Sequence, residues 1–369
     1  MIALDPAWAP RFLVPSLVAL STGAVATWLV RTFARRYGIV NKPNPIVPQH
    51  TRPVAYLGGV GLGVGAVCGM LALWFTSPAD TTALGQPLSA IGLCALLYLA
   101  LGVFDDLVAL KPAKKFVLQG LVALLAVLLG SWAPMTGVGL VDRAISWFWI
   151  VTLVNAFNLT DVCDGLVGSL SVAMFAIIAL AYPPLAPICA LLAASCGGFL
   201  LFNKPPATIF MGDAGSHLLG YLAAALTLAG IVLSESGVRS HVIAAPLLVG
   251  VPLFELTFLI VVRTRKGLAW WRGSPDHFSL RLQAGGMTRA QTDLIACVAA
   301  VALGAAALGM HQTHTLGQVI IAAGMLALSL IAARLLLRWE VKRPPAPSVA
   351  TQPTSIAPAA NDPKQEIVA

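Results

Sequence analysis

Two adjacent carboxylates, Asp105 and Asp106, close an apolar run in "LGVFDDLVALKPAKKF" and are followed by three amines, Lys111, Lys114 and Lys115. Neighbouring helical residues point about 100° apart, so both acids serve one site only at a frayed helix end. Solvated charge at a membrane surface would fit the motif equally well. Further along, "NAFNLTDVCDGLVG" sets Asn155, Asn158, Asp161 and Asp164 three residues apart. Each step of three turns a helix by about 300°, so a continuous helix cannot aim all four inward. The spacing predicts a helix that breaks between Asp161 and Gly165, the glycine supplying the turn and Asp164 free to cap the next helix. In "FNKPPATIFMGDAGSHLLGY", Pro205 and Pro206 end one element, and Gly212, Asp213, Gly215 and Ser216 begin another. The free N–H groups of that new helix suit a phosphate; alternatively Asp213 or Ser216 is simply its cap. A fourth stretch, "RTRKGLAWWRGSPDHFSLRLQAGGMTRAQ", mixes six arginines and lysines with Trp270, Trp271, Asp276 and His277. Its tryptophans and cations fit a membrane interface, and His277 fits phosphate binding or proton transfer. "NKPNPIVPQHTRPVAYLGG" adds Lys42, His50 and Arg52.

The elements that must position these groups are membrane helices. Of 369 residues 58% are hydrophobic and only 10% charged, with a mean hydropathy of +0.85. A bilayer core takes about 20 apolar residues per helix. Eleven such runs can be read, near 12–30, 55–76, 88–104, 116–133, 144–160, 166–182, 185–202, 215–234, 240–262, 291–310 and 315–333. The fold class is therefore all-α and polytopic. Residues 1–10 carry Asp5 and no Lys or Arg, whereas Arg31, Arg35 and Arg36 follow the first run, which predicts an uncleaved first span and an extracytoplasmic N-terminus. Eleven spans then leave the C-terminus cytoplasmic. Of the 23 Lys and Arg only Arg11, Arg143 and Arg239 fall on the outer side, in keeping with the positive-inside rule. Asp105, Asp106, Asp161, Asp164, Asp213 and Asp276 all fall in cytoplasmic gaps. The net charge of +8 thus describes a basic inner face, suited to anionic headgroups and phosphorylated substrates and lacking the basic stripe of a nucleic-acid binder. The six cysteines show no CxxC spacing, so neither disulfides nor zinc is inferred. Residues 1–340 read as one membrane domain, and 341–369, rich in Pro and Ala, as a disordered cytoplasmic tail.

Taken in order, these segments resemble the polyprenyl-phosphate N-acetylhexosamine-1-phosphate transferases, over roughly residues 35–285. "DDLVALKPAKKFVLQ" is similar to the family's paired-aspartate motif, "NAFNLTDVCDGL" to its Asn-x-x-Asn-x-x-Asp-Gly-x-Asp-Gly-Leu signature and "NKPPATIFMGDAGSHLLG" to its metal-binding segment. The resemblance implies transfer of a sugar 1-phosphate, N-acetylglucosamine 1-phosphate first among them, from a UDP-N-acetylhexosamine to undecaprenyl or another polyprenyl phosphate, with release of UMP. It implies Mg²⁺, or Mn²⁺ in its place, and a site on the cytoplasmic face of the bacterial inner membrane; a homodimer is compatible with it. By the same resemblance Asp213 would hold the metal, and Asp105 or Asp106 would orient or deprotonate the lipid phosphate. Asn158, Asp161 and Asp164 would shape the nucleotide and metal pocket, Lys115 would neutralise phosphate, and Asn203 would help hold uridine or diphosphate. His50, His277 and Arg281 would contact substrate, the last two side by side at i,i+4 spacing. The chain departs from the family at "DHFSLRL", where His-x-His-His is usual, and at Asn41 and Val162. An ion- or proton-coupled transporter is the other class that suits intramembrane acids, but it places them near the bilayer midplane, and here they crowd one face.

Overall fold

Each of the eleven apolar runs contains a helix in the computed structural model, whose described residues are 8–43, 52–77, 88–234 and 238–341. The elements are α1 (Trp8–Arg36), β1 (Val40–Asn41), β2 (Val54–Ala55), α2 (Gly58–Thr76), α3 (Leu88–Val108), α4 (Pro112–Leu128), α5 (Gly139–Thr160), α6 (Leu166–Ala181), α7 (Ala186–Asn203), α8 (Gly212–Val232), α9 (Val238–Leu248), α10 (Gly250–Arg265), α11 (Phe278–Ala284), α12 (Arg289–His311) and α13 (Thr315–Leu336). Among the described residues, eight helices are long and apolar enough to cross a membrane, or nine if α9 and α10, bent by 71°, cross as one. The expected count of eleven exceeds this because α4 and α6 have only 17 and 16 residues. At 1.5 Å per residue each falls short of the roughly 30 Å hydrocarbon core, and Lys114 and Lys115 charge the first turn of α4. The tail beyond residue 341 and His50 lie outside the described residues.

The core centres on α8. Its apolar stretch is 94% buried, against 6% for α13, which lines the outside. Small residues let neighbours approach α8 closely, the usual device for joining helices where water offers no hydrophobic drive. At Gly102 of α3 an added Cβ would lie 2.3 Å from the Asp213 carbonyl and 2.4 Å from Ala214 Cα, so only glycine fits. The same close contact positions two acids, because Asp105 and Asp106 stand three and four residues on, over the same face of α3. Further burial comes from α5 and, farther along α3, from Tyr98, which stacks on Tyr221 of α8 at 5.1 Å.

Two further features fix backbone near the helix ends. α5 stops at Thr160, and α6 begins after Gly165, whose φ of 79° is the left-handed conformation that glycine adopts without strain. The helix break expected there is present. β1 and β2 form a short antiparallel ribbon that breaks the all-α pattern, pairing Val40 with Ala55 and Asn41 with Val54. Ala55 also bridges to Ile209, so the ribbon is stitched to the chain leading into α8.

Candidate active site

Four helix ends meet at one polar cluster. The C-terminal turn of α3 brings Asp106 against the start of α8, where its two oxygens accept from the Asp213 amide at 2.7 Å and the Ala214 amide at 3.2 Å. A carboxylate here satisfies helix N–H groups that otherwise lack partners and sits at the positive end of the helix dipole. Asp105, 6% exposed, accepts from the Leu110 amide at 2.7 Å and takes the Lys115 ammonium at 2.9 Å. The same ammonium lies 2.5 Å from Asp213 Oδ2 and 3.3 Å from Asn158 Oδ1. The Asn158 amide donates to Asp213 Oδ1 and, at 3.1 Å, to Ser216 Oγ. Asp105, Asp106, Lys115, Asn158 and Asp213 are thus brought together from α3, α4, α5 and α8.

Asp161 ends α5 beside them. Among the described residues its carboxylate makes no hydrogen bond or ion pair, and burial, then the charges of Asp213 and Asp164, push its pKa up to about 7. Tyr56, carried in by the ribbon, has its phenol pushed up by burial and by the charges of Asp106, Asp213, Asp161 and Asp105. Beneath the acids runs a neutral network. Asn155 donates to Gln119 Oε1 at 3.0 Å, and the Gln119 amide meets His217 Nε2 at 3.0 Å. Gln119 therefore donates to that nitrogen and the ring proton belongs on Nδ1, a buried atom with no hydrogen-bond partner among the described residues. Nothing in the spacing of the sequence marked Tyr56. Ser216 and His217 were within reach, since they lie three and four residues after Asp213 on one helix face.

The remaining expected residues are engaged elsewhere. Asp164 does not cap α6; it pairs with Arg289 and accepts from the Ala207 amide at 3.0 Å. Asn203 donates to the Ile209 carbonyl at 2.9 Å and accepts from the Gly165 amide at 3.0 Å. Together they brace the 161–165 turn from behind, with no side-chain atom in the cluster. His277 precedes α11 and bonds through Nδ1 to Glu255 Oε1 at 2.7 Å, while the other Glu255 oxygen accepts the Phe278 amide at 3.1 Å. Arg281, 1% exposed, meets Asp276 Oδ1 at 2.6 Å and donates to the Trp339 carbonyl at 3.0 Å. Lys266 also holds Asp276, at 2.7 Å; burial opposes the ionised form, yet these two cations keep the Asp276 pKa below the usual carboxylate range. His277 and Arg281 stand one helical turn apart, the Arg281 amide donating to the His277 carbonyl at 3.0 Å, and both are buried against acids of their own region.

Among the described residues no group of three or more His, Cys, Asp or Glu is arranged as a ready metal cage. The donor set nevertheless fits a hard divalent ion. Four carboxylates gather here, Asp105, Asp106, Asp161 and Asp213; Lys115 pairs with Asp105 and Asp213, and among the described residues Asp161 has no cationic partner. Mg²⁺ is characteristically held by one or two carboxylates together with water and substrate oxygens, so a full protein cage is not required.

Residues 88–231, from the start of α3 nearly to the end of α8, match the family model described as "Glycosyl transferase family 4". That range contains every member of the cluster except Tyr56 and leaves out His277, Arg281 and Arg289. Over 299 residues, covering 77% of this chain and 81% of the relative, the sequence is 30% identical to the "Probable undecaprenyl-phosphate N-acetylglucosaminyl 1-phosphate transferase" of Bacillus subtilis. It is 33% identical over 334 residues, 79% of this chain and 81% of the relative, to the "Decaprenyl-phosphate N-acetylglucosaminephosphotransferase" of Mycobacterium tuberculosis strain H37Rv. The "Undecaprenyl-phosphate alpha-N-acetylglucosaminyl 1-phosphate transferase" of Escherichia coli K12 is 24% identical over 361 residues, 89% of this chain and 94% of the relative.

Proposed function

This chain belongs to glycosyl transferase family 4, alongside polyprenyl-phosphate N-acetylglucosaminyl 1-phosphate transferases, and on that premise we propose that it moves N-acetylglucosamine 1-phosphate from UDP-N-acetylglucosamine to undecaprenyl phosphate. In that reaction an oxygen of the lipid phosphate attacks the phosphorus bearing the sugar. The bond to UMP breaks, and a lipid-linked diphosphosugar is left to start a cell-envelope glycan. The observation that carries the reading is the Lys115, Asp105, Asn158 and Asp213 cluster at the ends of four helices. Its position at helix ends suits a lipid phosphate arriving from the bilayer and a nucleotide arriving from water. The Lys and Arg bias of the sequence supports a cytoplasmic site in the inner membrane.

Phosphoryl transfer asks the protein mainly to position two polyanions and to offset their charge. Asp213 would hold Mg²⁺, or Mn²⁺, with Asp161 as the neighbouring acid. When bound, the ion supplies positive charge to the phosphoryl group in transfer. Lys115 neutralises phosphate. Asp106 holds the α8 amides, whereas Asp105 Oδ2 is tied to the flexible Lys115, so of the adjacent pair Asp105 orients the acceptor.

The purified protein in detergent, given polyprenyl phosphate, Mg²⁺ and a panel of UDP-sugars, should release UMP and form lipid-linked product with UDP-N-acetylglucosamine. Absence of lipid-linked product with every UDP-sugar tried rules the reading out.

A further inference from the structure

The Lys115 ammonium has three N–H donors and three oxygens around it, one each from α3, α5 and α8: Asp105 Oδ2 at 2.9 Å, Asn158 Oδ1 at 3.3 Å and Asp213 Oδ2 at 2.5 Å. Every donor is used, so none is left for a phosphate. Asp213 has a partner on each oxygen, Oδ2 on Lys115 and Oδ1 on the Asn158 amide. A second cation at Asp213 Oδ2 would stand against the Lys115 charge, 2.5 Å from that oxygen, so an anionic substrate at Lys115 and a cation at Asp213 are both favoured by opening the contact between them.

We propose that Lys115 is the resident counter-cation of this site: it occupies the oxygen cradle between turnovers, competes there with the divalent ion, and is released toward phosphate only when that ion takes its place on Asp213. This rests on the metal-dependent reading of the site. The lysine suits the task because its charge is compact and sits on a flexible four-carbon stem, which can swing a few ångströms without moving α4. The exchange replaces one positive charge by two among four acids, and it delivers the displaced charge where the transferring phosphate needs it. Premature opening is disfavoured, since an empty cradle would leave Asp105 and Asp213 facing each other without a cation.

The test is Mn²⁺ binding to the full-length protein in detergent without substrate, followed by electron paramagnetic resonance of the free ion. Lys115→Met should bind Mn²⁺ at least about tenfold more tightly than wild type while transferase activity is lost. Lys115→Arg, which keeps a cation, should bind no more tightly than wild type, and so should Lys114→Met, a neighbouring charge outside the cradle. Unchanged or weaker binding by Lys115→Met overturns the proposal and leaves the metal site intact. Should Lys115→Met not fold, Lys115→Gln removes the charge with a donor retained and reads the same outcomes. Asp213→Asn separates the two readings: if wild type and Asp213→Asn bind Mn²⁺ alike, the assignment of the metal to Asp213 fails, and the competition fails with it.

Discussion

The cluster at the ends of α3, α5 and α8 and the segment from Arg263 to Arg289 hold similar residue types and treat charge in opposite ways. Around α11 the charges are matched: Asp276 has Lys266 and Arg281, and Glu255 has His277 and a backbone amide. Around the start of α8 they are not: Lys115 pairs with Asp105 and Asp213, Asp106 has only backbone amides, and among the described residues Asp161 has no hydrogen bond or ion pair. Matched, buried charge fixes a fold; surplus charge of one sign is tolerated only where something of the other sign is meant to arrive.

The largest effect should come from neutralising the surplus at its centre. Asp213→Asn keeps the side chain's shape and is expected to lower turnover by about a thousandfold or more, because a bound metal's stabilisation of phosphoryl charge is worth several kcal/mol. Thermal melting in detergent should show the variant folded. Activity within tenfold of wild type would break the assignment of Asp213 to the metal.

The matched region should respond in stability instead. Arg281→Ala leaves Asp276 with Lys266 alone and strips the Trp339 carbonyl of its buried donor, and is expected to cost about 3 kcal/mol of stability. The surviving folded protein should keep its kcat/KM within a few-fold of wild type. A variant of normal stability whose kcat/KM falls tenfold would return Arg281 to the substrate and erase the contrast. Next in size comes Gly102→Ala, whose Cβ would collide with Ala214 and Asp213 backbone atoms. Overpacking of this kind costs about 1–3 kcal/mol. It should also depress activity beyond its effect on stability, because moving α3 off α8 carries Asp105 away from Lys115.

The range of each interaction decides how much of it was legible in the sequence. The helices were legible because apolar runs of membrane length are a local signal, and the break after Asp161 because a period of three is incompatible with a helix face of four polar groups. The grouping of Asp105, Asp106 and Asp213 could be expected from their placement at one end of their helices. Side-chain partners were not legible. Spacing of i,i+4 says that His277 and Arg281 share a face of α11 but not what lies opposite, and what lies opposite is Glu255 and the end of α13. Asp164 looked like a cap because its partner Arg289 is 125 residues away, and Tyr56 carried no pattern at all.

The smallest and most discriminating effect concerns Asp161. Its folded pKa, raised by burial and then by Asp213 and Asp164 to about 7, exceeds the roughly 3.9 of an unfolded aspartate. The folded protein therefore binds more protons than the unfolded chain between about pH 4 and pH 7. Stability from this group is greatest at the acid end of that window, declines as pH rises through it and levels off above pH 7. Asp161→Asn fixes the side chain in a neutral form and should remove the decline. The variant should gain on wild type by an amount on the order of 1 kcal/mol between pH 5 and pH 8, given partial solvent access to the site. Saturating Mg²⁺ should shrink that gain, because the ion favours the ionised carboxylates of wild type. Melting curves at both pH values, with and without Mg²⁺, decide the matter. A gain that appears at pH 8 and vanishes with Mg²⁺ identifies Asp161 as part of the uncompensated charge. A difference that ignores both pH and metal would mean that the acid is already paired, and the boundary between the matched and unmatched regions would have to be redrawn to exclude it.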